Sequence, residues 1–160
     1  MKSLKFLPYI FITIVILTSC GGNTVTGEVN DPLFILEKNC GCSSTNSEQK
    51  RKDLYEKFYQ NKLITVNGEV KSIEDELLTL DCFNHSRDIR ITFESADDLY
   101  ELKVGSLVRV KFALRELDDL FCEFTGDLGK IVSTNQDEIL EIGGRERTQQ
   151  EQYELDELSN

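Results

Sequence analysis

Between residues 64 and 114 apolar and polar positions alternate, and the alternation restarts after each turn signal. Ile64, Val66 and Val70 share one parity, opposed by Thr65, Asn67, Glu69 and Lys71. A period of two places such sets on opposite faces of a strand. Gly68 falls inside this run, where a bulge or sharp bend is expected. Leu78, Leu80 and Cys82 predict a second strand. Asn84-His85-Ser86-Arg87 is a turn, and Ile89, Ile91 and Phe93 predict a third strand. Val108, Val110, Phe112 and Leu114 alternate with Arg109 and Lys111 in a fourth. A fifth strand has two candidate places, residues 120–124 or 128–132, and a last strand-like piece covers 139–142. Between strands three and four, Ser95-Ala96-Asp97-Asp98 opens a short helix that contacts the core through Leu99 and Leu102 and closes at Gly105.

Upstream the period changes from two to four. Leu54 and Phe58 recur at that spacing, as do Tyr55 and Tyr59. Thr45-Asn46-Ser47-Glu48 has capping-box form, so a helix is predicted over residues 46–61. The apolar run 33–36 is too short to declare a period.

Helix, three strands, short helix and two or more strands, with a long bent first strand, is the order of an OB-fold. That fold is a small five-stranded Greek-key barrel. The expected class is therefore mainly β with two helices, the barrel over residues 63–142 preceded by a helical segment over 31–62. Ile64, Val66, Val70, Leu80, Ile91, Phe93, Val108, Val110 and Phe112 are expected to line its interior. Residues 143–160 form a polar, acidic tail expected to be poorly ordered.

Residues 58–73, FYQNKLITVNGEVKSI, followed by LLTLDC, IRITFES and LKVGSLVRVKF, resemble the tRNA_anti-like family of OB-fold bacterial lipoproteins. Tyr59, Lys62, Val66, Gly68 and Val70 match its opening block; Leu102, Lys103, Gly105, Val108 and Val110 match its later strand. The similarity spans roughly residues 57–134 and implies a fold, with little chemistry. The chain departs from the pattern at Phe112-Ala113-Leu114, where a glycine is expected after strand four.

The N-terminal segment is of another kind. Lys2 and Lys5 precede an apolar stretch, residues 6–17, interrupted only by Pro8 and Thr13. Twelve residues are too few to span a bilayer and suit the apolar region of an export signal. Leu17-Thr18-Ser19-Cys20 matches the lipobox of bacterial lipoproteins. That resemblance implies cleavage after Ser19 (residues 1–19 removed) and lipid attachment at Cys20. Residues 20–30 then act as a tether. Gly21, rather than aspartate, follows Cys20, which favours the outer membrane.

Charge narrows the partners. The chain carries −11, and loss of the two lysines in residues 1–19 makes the remainder −13. Such a surface repels phosphate backbones, so nucleic acid is not an expected partner. The outward positions of strands two and three, Thr79, Asp81, Arg90 and Thr92, include no aromatic for base stacking.

Four cysteines remain after Cys20: Cys40, Cys42, Cys82 and Cys122. Export permits disulfides, and a bond within Cys40-Gly41-Cys42 would close a strained ring. Pairing Cys40 and Cys42 separately with Cys82 and Cys122 is sterically easier. Cys82 and Cys122 also read as small buried hydrophobes. The Cys40/Cys42 spacing is wrong for zinc knuckles and for a thioredoxin-type C-x-x-C. His85, the one histidine, sits in a turn and reads as solvated. The acidic stretch 116–119 lacks the alternation of a calcium loop. No catalytic residue, metal or cofactor is expected. The expected role is non-enzymatic binding of an envelope protein or ligand, with an oligosaccharide-binding barrel as the alternative. A thiol- or metal-dependent enzyme using Cys40 and Cys42 is the third reading.

Overall fold

In the computed structural model the described residues are 24–82, 88–118 and 123–158. Helices α1 (Leu33–Cys40) and α2 (Glu48–Phe58) precede β1 (Leu63–Glu74), β2 (Leu77–Cys82) and β3 (Asp88–Thr92). A 3-10 turn, Ala96–Leu99, leads to β4 (Leu107–Leu117) and β5 (Phe124–Ser133), and α3 (Gln136–Leu158) follows. The strands close in the order β1-β2-β3-β5-β4, and β4 pairs back onto β1. All neighbours are antiparallel except β3 and β5, which run parallel. This is a small OB-fold-like barrel.

The alternation sorts as expected: the nine predicted interior residues are all 5% exposed or less. Leu78, Ile89, Leu114 and Phe124 join them without exposure. Each such side chain contributes roughly 1.5–3 kcal/mol by leaving water. Cys82 lies in the same core at 2%.

α2 starts two residues later than the capping signal suggests, because Ser47 is the cap: its hydroxyl accepts from the Lys50 N–H. Tyr55 and Tyr59 face inward, and the Tyr55 ring stacks on Phe124 with centroids 6.4 Å apart. Phe58 faces solvent. Asn61, at φ 59°, takes the left-handed conformation that turns the chain from α2 into β1. The run at 33–36 is the start of α1, whose Leu33, Leu36 and Cys40 bury one face at spacings of three and four.

Two expectations are corrected and one open alternative is resolved. Gly68 makes no bulge; the register shifts between Val70 and Ser72. Gly68 is needed for close approach, since a Cβ there would meet the Asp81 carbonyl oxygen at 2.8 Å. The closing strand spans the second candidate place and takes only Phe124 from the first. Its glycines are absorbed because Gly126 and Gly129 give room to the rings of Phe112 and Phe93. Finally, residues 139–142 are not a strand and 143–158 are not irregular: both belong to α3. The Asn135 side chain accepts from the Asp137 and Glu138 N–H groups, capping that helix. Ile139, fully buried, anchors it, and Ile142, Gly143, Glu146 and Gln150 continue the covered side. Farther along, Tyr153 meets the Phe34 ring at 6.0 Å and lies under the Lys38 ammonium.

Candidate functional site: a polar groove on the outer sheet

Strand parity sends Thr79, Arg90 and Thr92 outward on β2 and β3. The sheet register then brings residues of β4 and β5 beside them. Arg90 pairs with Thr125 across the parallel β3–β5 ladder, Leu77 with Thr92, and Glu116 with Thr125. A groove of about 380 Å³ results, lined by Arg90, Thr92, Arg115, Glu116, Thr125 and Asp127 over Leu77 and Gly126. No aromatic side chain lines it.

The two arginines differ in duty. Arg115 is 10% exposed; its Nε donates to Asp127 Oδ1 at 2.7 Å and its Nη1 to Asn61 Oδ1 at 2.8 Å. It ties the α2–β1 junction to β5 and is committed to structure. Arg90 is exposed and makes no ion pair among the described residues. The groove therefore offers one free guanidinium, two hydroxyls and two carboxylates. That set hydrogen-bonds a polar ligand and gives a nucleobase nothing to stack on.

Along the same strands Asp81 pairs with Asp88, two like charges face to face. Lys71, displaced by the β1 bulge, donates to Asp88 Oδ2 at 2.6 Å. The Asp88 hydrogen bond and charge raise the lysine's pKa. This exposed triad neutralises a cross-strand repulsion.

The sulfurs are less reactive than their number suggests. Cys42 is disulfide-bonded, and its partner lies outside the described residues. Cys40 and Cys82 are buried free thiols, so the pairings through either of them do not form, and Cys82 takes the small buried hydrophobe reading. β2 carries Cys82 into the core, and α1 presses Cys40 against α2. Burial pushes the Cys40 thiol up to about 12, with Arg51 pulling it down and Glu37 pushing it further up. Burial raises Cys82 as well. Both are poor sources of thiolate at neutral pH.

One polar contact is buried under α3. Asn67, 4% exposed on β1, donates through Nδ2 to Glu146 Oε1 and Oε2 at 3.3 and 3.4 Å. Burial raises the Glu146 pKa, against the lowering effects of the Asn67 hydrogen bond, Arg109 and Arg145.

Cys20, His85 and Cys122 lie outside the described residues. Among the described residues no group of three or more His, Cys, Asp and Glu could hold a metal ion. Among them, too, no helix is long and apolar enough to cross a membrane. Sequence reasoning found Arg90 and Thr92 by parity but missed Arg115, Glu116, Thr125 and Asp127. Their place follows from the parallel β3–β5 pairing, which no local pattern announces. In comparisons with known proteins the chain matches no family model, no curated protein and no solved structure.

Proposed function

We propose that this chain is a lipid-anchored protein of the bacterial cell envelope whose barrel binds a ligand or partner protein without chemistry. The observation that carries the reading is the run from Lys2 to Cys20: basic start, short apolar stretch, then Leu17-Thr18-Ser19-Cys20. Two acyl chains on Cys20 suffice for stable anchoring, at roughly 0.8 kcal/mol per buried CH₂. The stretch after Cys20 tethers the barrel only as far as Thr26, because Gly27, Glu28 and Val29 dock on Leu63 at the start of β1, and the acidic surface holds the barrel off anionic headgroups. Gly21 after Cys20 supports the outer membrane as destination. The family reading, an OB-fold lipoprotein of the tRNA_anti-like kind, rests on the Tyr59–Val70 and Leu102–Val110 matches.

Metabolic labelling with radioactive palmitate tests the anchor. Wild-type protein should incorporate label, and Cys20→Ala should lose it and accumulate unprocessed. Equal labelling of the two would remove the lipobox assignment.

A second reading, an oligosaccharide ligand, is favoured by the alternating donors and acceptors around Arg90, Thr92, Thr125 and Asp127. Glycan-array binding that disappears in Arg90→Ala would establish it; an array with no bound glycan would exclude it.

A further inference from the structure

β3 and β5 pair over only three positions, Ile89–Phe124, Arg90–Thr125 and Ile91–Gly126. Beyond Gly126 the strand runs on to Ser133, and there its sheet partner is β4 alone. The barrel wall at that point is closed by a side chain. The Phe93 ring lies so near Gly129 that a Cβ on the glycine would come within 2.5 Å of it. Among the described residues the backbone edge of 127–133 then has no neighbouring strand on that side. An uncovered edge is a template for pairing with another chain.

A groove of about 600 Å³ runs along this edge, with Leu128 to Ile131 on one side and Glu94 and Asp98 on the other. Leu128 holds φ at 55° and is 40% exposed, a conformation and a position uncommon for a large apolar residue. Farther along the strand Val132 is 49% exposed.

Charge selects the occupant. Glu94, Asp97, Asp98 and Glu101 are all exposed on the segment facing the edge. The Phe93 N–H donates to the Glu76 carbonyl at 2.8 Å, which holds the exposed hairpin turn Glu74-Asp75-Glu76 against the same segment. None of these carboxylates is ion-paired among the described residues. Lys130 is the one base lining the groove, and Lys111, its register partner on β4, is bound to Glu28. A second copy of this chain would bring like charges together. A basic strand would meet complementary ones.

We propose that the open edge of β5 takes up an extended, basic segment of a partner protein as an added strand. The proposal rests on the reading of the barrel as a binding domain and names the class of partner. Main-chain hydrogen bonds to residues 127–133 supply the affinity, and the carboxylates on the opposite wall supply the preference for lysine or arginine.

The test uses a capped peptide, Lys-Val-Lys-Val-Lys-Val-Lys, titrated into the isotope-labelled full chain and followed by amide NMR. Amide shifts should concentrate in residues 127–133. The same peptide N-methylated on alternate residues keeps its charge and loses its strand donors; it should bind at least about tenfold more weakly if main-chain pairing is the basis. A Glu-Val counterpart should not bind. Because Glu94 and Asp98 are exposed, Glu94→Gln/Asp98→Asn retains the fold and should weaken the lysine peptide about tenfold. Equal affinity of the methylated peptide would reduce the effect to bulk charge and overturn the proposal. So would the absence of shifts at about 1 mM peptide, weaker than any useful interface. Shifts confined to Arg90, Thr92 and Thr125 would overturn the edge proposal while leaving a binding barrel in place.

Discussion

Asn67 and Glu146 show how a part-buried polar pair sets a local pH dependence. Asn67 has no route to solvent on β1, so its amide needs a partner, and the Glu146 carboxylate provides one. Burial makes the charged form of Glu146 costly and raises its pKa. A carboxyl that holds its proton more tightly when folded stabilises the fold below the unfolded value, about 4.3. That contribution is lost as pH rises through the folded value. Glu146→Gln keeps an acceptor for Asn67 and removes the charge. The variant should therefore be at least as stable as wild type at pH 7, with the difference vanishing below about pH 4. Urea denaturation at the two pH values measures this, and a neutral-pH loss would show that the Arg109 and Arg145 attractions outweigh burial. Phe93 is the corresponding apolar case. It is 2% exposed and fills the gap beside Gly129, so Phe93→Ala should cost roughly 3–5 kcal/mol. A loss under about 1 kcal/mol in the same measurement would contradict its role as the seal.

Among the elements, α3 has the least conventional attachment. Its mean contact with the barrel is narrow: Ile139 is fully buried, while Leu140 and Leu155 are exposed. The Asn67–Glu146 contact and the packing of Tyr153 on Phe34 hold it farther along. Elements held by few buried groups open independently of the core. Ile139→Ala should raise amide exchange throughout Gln136–Leu158 and leave β1 and β4 protected; equal deprotection of the strands would make α3 part of the barrel's cooperative unit. This helix also marks where the sequence stops being legible. Strands β1 to β4 are plain in the alternation because each has one face in the core and one in water. α3 has no comparable apolar stripe, and its strongest signal, Asn135 followed by Asp137 and Glu138, is a cap that needs no hydrophobic period. α1 was obscured in the opposite way, since four adjacent apolar residues carry no periodicity until Cys40 is seen on the same face. β5 was ambiguous because Leu128, in a left-handed conformation, breaks the alternation that would define it. For the candidate groove, parity gave Arg90 and Thr92, while the β4 and β5 contributions depend on long-range register.

For the whole molecule, charge and surface layout bear on nucleic acid as a ligand. The chain carries −11, and residues 20–160 alone carry −13. Basic groups gather at one place on the barrel's outer surface, where Lys111 pairs in register with Lys130 and Arg109 lies two residues along β4. Even there Lys111 Nζ is bound to Glu28 Oε1 at 2.8 Å, and Arg109 interacts with Glu146. The outer groove adds one free arginine, two carboxylates and no aromatic ring. Each phosphate contact requires a cation whose binding releases counterions, and stacking requires an exposed aromatic surface. The outer groove and the β4–β5 patch do not meet both requirements together. Single-stranded DNA or RNA should therefore bind no tighter than about 10⁻⁴ M at physiological salt, the weak end of non-specific affinities. Fluorescence anisotropy of labelled oligonucleotides across a salt series measures it. Micromolar binding that weakens steeply with salt would mean that Arg109, Lys111 and Lys130 act together as a phosphate track despite the surrounding acids. Neutralising Lys130 and Arg109 would then reduce the salt slope by about two, one for each lost phosphate contact.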